Sequence, residues 1–138
     1  IVRAKLDILG NKNISIAINA LEKALATLED STEALEWIAR GALKLPEPDL
    51  PRALKANEEY RNIPLLPEEK RVPAQLLGGE ILMRLQRHEE ARKVLENIHS
   101  DTRPELELRA KVLLAESYEK EKHWLETTGR RLDELKRD

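Results

Sequence analysis

The sequence predicts an all-α fold, and three observations support this prediction. The apolar residues are mainly Leu, Ala and Ile, with no Phe, two Trp and two Tyr, a set that suits helices better than sheets. In most segments they recur at helical spacings of three and four residues. A helix-pair pattern also recurs 36 residues apart, from Gly79 to Ala115 and from Ala91 to Thr127.

The first 45 residues are predicted to form three helices. Val2 to Leu9 can form one short helix, which ends at Gly10 and two asparagines that suit a helix C-terminus. From residue 14 to residue 28 the apolar positions follow the helical period. After a tight turn, in which Asp30 is a candidate N-cap, a third helix runs from residue 33 and ends before Pro46.

Prolines interrupt the middle of the chain twice, at residues 46–51 and 63–67. Each proline ring removes a backbone donor and clashes with the preceding helical turn, so one continuous helix is excluded. Between the two interruptions, Arg52 to Tyr60 is predicted to form one helix without an obvious mate. A new or kinked helix start is predicted near Pro73. We therefore expect an irregular, proline-rich join between residues 46 and 73.

Two helix pairs are predicted in the remainder of the chain. Residues 74–85 and 89–98 form the first pair, joined by a turn at residues 86–88. Residues 105–120 and 123 to about 137 form the second pair, with a turn near Lys122. The last helix is rich in charged residues, which a terminal repeat that faces water requires.

A fixed period that carries two amphipathic helices is typical of a helical solenoid, whose units bury their apolar faces against their neighbours. These pairs resemble the tetratricopeptide repeat (TPR) family, in which small residues on both helices let the mates approach each other. The matching positions are Leu21, Leu25, Ala34, Ile38 and Pro46 in the first pair, Gly78, Gly79, Leu82, Ala91, Leu95 and Pro104 in the second, and Leu114, Ala115, Tyr118 and Trp124 in the third. Glu22 stands where the first pair needs a small residue, and Thr127 where the third needs an alanine.

The resemblance implies a right-handed superhelix of antiparallel helix pairs, formed by residues 1–138 as a single TPR-like domain. Several features depart from the family pattern. No repeat begins with the family's aromatic residue, the period is 36 rather than 34 residues, and Ala34 lies 57 residues before Ala91. We therefore expect TPR-like stacking with one abnormal unit. An ordinary helical bundle of similar hairpins is the alternative.

Length and charge narrow the classes of function. At 138 residues the chain fits one domain, and its 24 basic and 26 acidic residues give a net charge of −2 without a basic tail or stripe. Nucleic acid and anionic membranes are therefore not expected as partners. No apolar run approaches the roughly 18–20 residues of a membrane span, so membrane insertion is not expected. Because the chain begins at Ile1 without Met, we expect a piece of a longer protein, and the compartment stays open.

The resemblance also implies where a partner would bind. In TPR domains the first helix of each pair lines a concave groove that holds an extended peptide or a partner helix. Helical spacing places eleven residues on that face: Asn19, Lys23, Leu76, Glu80, Met83, Arg84, Arg109, Val112, Glu116, Glu119 and Lys120. Two of them, Glu80 and Glu116, would repel a carboxylate, so binding of the acidic C-terminal tails of heat-shock chaperones is not expected.

The sequence supports no catalytic or metal site. It has no Gly-rich phosphate loop, no nucleophile elbow and no cysteine, so no enzyme activity and no cofactor are expected. Glu119, His123 and Glu126 would share one face of a continuous helix, but the turn predicted near Lys122 separates them. No metal site is therefore expected.

The first hypothesis for function is a non-catalytic scaffold that binds a partner protein or peptide. Trp37 lies off the stripe formed by Ala34 and Ile38, so it can be exposed and serve as an anchor for that partner. Two alternatives stay open. The chain can be a helical regulatory or substrate-holding domain of a larger enzyme, or a self-assembly module in which an end repeat stacks on a copy of itself.

Overall fold

The structure is a computed structural model that describes residues 2–27 and 31–137, with side chains up to residue 123. These residues form seven α-helices and no strands, which confirms the predicted all-α fold. The helices are α1 (Val2–Leu9), α2 (Ile14–Leu25), α3 (Thr32–Lys44), α4 (Leu50–Arg61), α5 (Glu68–Arg84), α6 (His88–Glu96) and α7 (Pro104–Arg137).

The three N-terminal helices form where the sequence predicts them. After α1, both Asn11 and Asn13 adopt the left-handed conformation, with φ of 55° and 50°, which asparagine tolerates better than most residues. α2 ends at Leu25, three residues before its predicted end. Asp30, the predicted N-cap of the next helix, lies outside the described residues, and α3 ends before Pro46 as predicted.

Each helix packs against the helix before it and the helix after it, so the seven helices lie in chain order. α1 also contacts α3 and α5 also contacts α7, whereas α1 and α7 do not meet among the described residues. The odd-numbered helices therefore lie along one side of an open row, and α2, α4 and α6 lie along the other. The largest fully buried apolar side chains of the core are Ile8, Ile18, Leu21, Val72, Ile81, Leu82 and Leu95.

Helix α4 fills the proline-broken stretch and has mates on both sides. Its first turn is capped by Asp49, whose carboxylate accepts the backbone N–H of Arg52 at 3.1 Å. The helix packs on both α3 and α5 and buries Ala53, Leu54 and Ala56. The prediction that it lacks a mate is wrong, because small residues on more than one face let it approach two neighbours at once.

The presence of α4 in the row changes which helices share a side. α2 lies with α4 and α6, whereas α5 lies with α3 and α7. α2 and α5, which the resemblance treats as equivalent first helices, are therefore on opposite sides. The 57 residues between Ala34 and Ala91 correspond to about one and a half periods of 36 residues, which agrees with this change of side.

Helix α5 begins earlier than predicted and runs through a proline. It starts at Glu68 rather than near Pro73, which becomes an interior residue. Val72 and Ala74, on either side of Pro73, are 2% and 7% exposed, so burial of both neighbours holds the helix together across the ring. Since Pro73 has no N–H, the Glu69 carbonyl lacks its usual donor one turn later.

Helix α7 is one continuous helix of 34 residues, about 51 Å long at 1.5 Å per residue. The predicted turn near Lys122 is wrong, and so is the final helix pair. No glycine or proline occurs between Glu105 and Thr128, and most residues there are good helix formers. The 36-residue period therefore relates the α5–α6 hairpin to a single helix, not to a second hairpin.

Candidate functional site

The predicted groove residues on α5 and α7 have different surroundings. Glu80 and Arg109 do come together, with Oε1 and Nε 3.7 Å apart. Leu76 is half-buried and packs against the core, whereas Arg84 is exposed. Met83 is 5% exposed, so its side chain belongs to the core and offers no surface to a partner.

Further along α7, Val112, Glu119 and Lys120 are exposed and Glu116 is half-buried. Lys120 borders a shallow depression of about 610 Å³ between α7 and the turn that joins α5 to α6. Its other lining residues include Glu89, Glu90 and Glu121, so the depression combines both signs of charge.

The two predicted groove residues on α2 lie on the other side of the row. Lys23 is exposed, and Asn19 accepts a hydrogen bond from Nη2 of Arg52 on α4 at 2.8 Å. α2 contacts neither α5 nor α7. The eleven predicted residues therefore do not line one groove, because α4 separates α2 from the helices that carry the rest.

Trp37, considered as an exposed anchor, is 7% exposed. The Arg40 guanidinium and the Lys5 ammonium lie over its ring, 4.8 Å and 5.5 Å from the ring centroid. Lys5 also pairs with Glu33 of α3. Trp37 therefore joins α1 to α3 through cation–π contacts and burial, and the prediction of an exposed residue is wrong.

A cleft lies on the odd-numbered side of the row, where the backbones of α3 and α5 do not approach each other closely. We call it the join cleft, because it coincides with the proline-rich join. It encloses about 310 Å³. Its lining residues come from α3, α4, α5 and the segment before α7: Glu36, Ala39, Arg40, Asn57, Tyr60, Glu69, Lys70, Pro73, Ala74, Leu77 and Arg103.

The inner wall of the join cleft is mostly apolar. Tyr60 is 4% exposed and packs with Leu35 and Ala74, while Pro73 and Leu77 add apolar surface from α5. No described residue forms a hydrogen bond with the Tyr60 hydroxyl. Burial, followed by the nearby Glu36 carboxylate, raises the pKa of that hydroxyl above its ordinary value of 10. The hydroxyl is therefore neutral at physiological pH and free to donate.

A buried polar contact fixes α4 against α5 behind the cleft. Asn57, 2% exposed, donates from Nδ2 to the Ala74 carbonyl at 3.0 Å and accepts from Nε of Arg61 at 2.7 Å. Gly78 leaves room for this contact, since a Cβ there would lie 2.6 Å from the Asn57 Oδ1. Burial lowers the pKa of the Arg61 guanidinium, an effect that Glu58 partly offsets. This contact gives the cleft a fixed wall.

The rim of the cleft carries both paired and unpaired charges. Glu36 pairs with Arg40 at 2.7 Å, and Arg103 pairs with the neighbouring Glu105 at 2.9 Å. Lys70 forms no ion pair with any described residue. The Glu69 carbonyl, which Pro73 deprives of its helical donor, lies on the same stretch of α5. The rim thus offers a cation without an ion-pair partner, Lys70, beside an apolar wall.

Sequence reasoning assigned no function to the join. The sequence contained one signal of the site, because Pro73 inside a helix of otherwise good helix formers removes the usual donor of one carbonyl at a known position. The contribution of Tyr60, Ala39 and Arg103 was not visible, since these residues come from three segments whose packing no local pattern specifies.

No cluster of three His, Cys, Asp or Glu side chains that could hold a metal occurs in the described part of the chain. The continuous α7 removes the turn that was expected to separate Glu119 from His123, while the side chain of Glu126 lies outside the described residues. Within residues 2–27 and 31–137, no helix has an apolar stretch long enough to cross a membrane.

No model of a known protein family matches this chain, and neither does any curated protein sequence or any solved structure.

Proposed function

We propose that this chain is a non-catalytic protein-interaction domain that holds an extended segment of a partner protein in the join cleft, within a TPR-like stack of helices. The observation that carries the proposal is the cleft itself. It combines an apolar wall with a Tyr60 hydroxyl and a Lys70 ammonium that have no hydrogen-bond or ion-pair partner among the described residues, at the place where the backbones of α3 and α5 stay apart. Such a combination is typical of peptide-binding sites.

The groups at the cleft suit a polypeptide ligand. The Glu69 carbonyl, which lacks its usual helical donor, can accept an N–H from the partner's backbone, and the Tyr60 hydroxyl can donate to one of its carbonyls. The apolar wall formed by Pro73, Ala74 and Leu77 can bury one apolar side chain of the segment. Lys70 adds a cation at the rim, which favours an acidic residue beside that side chain.

The same groups are poorly suited to catalysis. A tyrosine whose pKa is raised by burial is a weak base and a weak nucleophile at neutral pH. The two acid–base neighbours at the rim, Glu36 and Arg40, neutralise each other in an ion pair. These features favour binding over bond making.

The proposed path of the partner continues along the odd-numbered side. Beyond the cleft, the Glu80–Arg109 pair joins α5 to α7 on that side, so an extended segment that leaves the cleft toward α7 would meet these two residues. Asn19 and Lys23 lie with α4 and α6 and are not part of this path. The proposal therefore retains part of the groove that the sequence suggested and omits the part on α2.

Pro73→Ala tests the proposal without threatening the fold. Alanine restores an N–H for the Glu69 carbonyl and removes the ring from the cleft, so the variant should be more stable by about 1–3 kcal/mol. Peptides would first be selected from a random displayed library on the wild-type chain, and their affinities measured by calorimetry. We expect the variant to bind them about tenfold more weakly, equivalent to 1.4 kcal/mol.

Pro48→Ala is the matched control, because Pro48 is exposed in the turn between α3 and α4, away from the cleft. It should leave both affinity and selected sequences unchanged. Equal binding by the wild type and Pro73→Ala, or backbone amide shifts confined to the side of α2, α4 and α6, would rule out the join cleft as the binding site.

A further inference from the structure

The two end helices of the row expose apolar stripes with the same spacing. On α1 the stripe consists of Val2, Leu6 and Leu9, which are 72%, 62% and 56% exposed. On α7 it consists of Leu108, Val112 and Ala115, of which the first two are 63% and 42% exposed and the third is also exposed. Both stripes follow the order i, i+4, i+7, so each forms a single line along its helix.

Each stripe faces away from the core. α1 buries Ala4 and Ile8 on its opposite side, and α7 buries Ala110, Leu113 and Ser117. No other described helix covers either stripe. Exposed apolar residues aligned along a helix are typical of surfaces that contact another protein.

The two stripes fit each other. Both span about 10.5 Å along the helix axis, seven residues at 1.5 Å each. An antiparallel contact between α7 of one copy and α1 of the next would continue the alternation of helix direction along the row. That orientation places Arg3, beside Val2, near Glu119, which follows Ala115 by one turn. Arg3 and Glu119 are exposed, carry opposite charges and form no ion pair with any described residue.

From this complementarity we propose that copies of this chain associate head to tail, with the α1 stripe of one copy packed on the α7 stripe of the next. Such a contact is heterologous, so it does not close after two copies. α1 has only eight residues, so the buried area falls below the roughly 1,200 Å² of a stable interface. The association is therefore weak and increases with concentration. The proposed contact between copies involves none of the residues that line the join cleft.

Sedimentation velocity over a concentration series from micromolar to near-millimolar tests the proposal. The wild type should shift to larger species as concentration rises. Leu6→Glu, which blocks the α1 stripe, and Leu108→Glu, which blocks the α7 stripe, should each remain monomeric alone. Leu65→Glu is the matched control, because Leu65 is fully exposed in the turn between α4 and α5, and it should behave as the wild type.

Mixing the two blocked variants gives the sharpest outcome. Leu6→Glu retains its α7 stripe and Leu108→Glu retains its α1 stripe, so an equimolar mixture should form 1:1 dimers and nothing larger. Circular dichroism verifies that each variant is folded, and Val2→Glu replaces Leu6→Glu if the latter is not. A wild type that stays monomeric at every concentration overturns the proposal. So does a Leu108→Glu variant that associates alone, since that result requires an α1–α1 contact.

Discussion

The α5–α6 hairpin and the first half of α7 carry similar residues but bury them differently. Gly79 of α5 lies directly against α6, where a Cβ would come within 2.4 Å of Cδ2 of Leu95. Ala115 of α7, 36 residues later, is exposed and faces away from the core. A small residue in an amphipathic helix thus marks close packing only where a second helix returns onto it.

The difference between the two regions originates in their turns. α5 ends at Arg84, with Leu85 as its C-cap. Gln86 takes φ of 63°, and the Arg87 N–H donates to the Leu82 carbonyl at 2.9 Å and closes the turn. α7 has no comparable break between its first residue and Thr128. Its buried face packs against α5 and α6 instead, and Arg92 of α6 stacks on the exposed ring of Tyr118 at 4.7 Å.

The largest expected difference in stability comes from substituting leucine at both Gly79 and Ala115, which tests the contrast between the two regions. Gly79→Leu forces four carbon atoms against Leu95, which is 1% exposed, and should destabilise the fold by about 3 kcal/mol or more. Ala115→Leu places the same side chain on an exposed helix surface, where it adds three carbon atoms, and should change the free energy of unfolding by less than about 0.5 kcal/mol. Urea unfolding of dilute protein measures both.

Equal losses for the two leucine variants would mean that Ala115 also packs against a returning helix, and the contrast between the regions would fail. Gly79→Ala gives an intermediate point. Its steric cost should exceed the roughly 1 kcal/mol that alanine gains over glycine in helix propensity.

A proline at Lys122 tests the continuity of α7 itself. In an unbroken helix, Lys122→Pro removes the bond to the Tyr118 carbonyl and clashes with that turn, at a local cost of about 3 kcal/mol. We expect a loss of helical circular dichroism and faster amide exchange in residues 119–137. Lys122→Ala, the control, should retain the wild-type signal. A proline variant with full helicity would contradict a continuous α7. It would support the turn predicted near Lys122 and the second hairpin.

The sequence predicted the helices well and their neighbours poorly. Amphipathic spacing and glycine or proline breaks located α1 to α4 and α6 within about three residues, because these signals are local, whereas α5 begins about six residues before its predicted start. Whether Glu22, Gly79 and Ala115 are buried or exposed depends on which helix packs against each one. That choice was set by α4, a helix with a weak apolar pattern whose small residues let it pack on both α3 and α5.

Only single residues of the candidate site could be predicted, because local patterns do not specify which helices pack together. Pro73 signalled a carbonyl without its usual helical donor, and Glu80 and Arg109, both assigned to the predicted groove, lie on helices that contact each other. Prediction of the apolar wall of the join cleft required knowing that the backbones of α3 and α5 stay apart. No residue spacing within either helix contains that information.

The smallest expected effect concerns Glu22, the position on α2 that corresponds to Gly79 and Ala115. Its carboxylate pairs with Arg52 of α4, with Oε1 to Nε at 2.6 Å and Oε2 to Nη2 at 2.8 Å. The hydrogen bond from Arg52 lowers the pKa of Glu22 below its ordinary value of 4.5, and burial opposes this shift. A lowered pKa stabilises the folded state above the ordinary value, and this contribution is lost as pH falls through the folded-state value.

Glu22→Gln should therefore cost about 0.5 kcal/mol at pH 7, a modest figure because the Glu22 side chain is 40% exposed to solvent. The difference from the wild type should shrink as pH falls below 4.5, since the wild-type carboxylate then also loses its charge. Urea unfolding at a series of pH values measures it, with Glu47→Gln in the exposed turn after α3 as the control. A difference that persists undiminished at pH 3 would mean that α2 is held to α4 by packing, as α5 is held to α6.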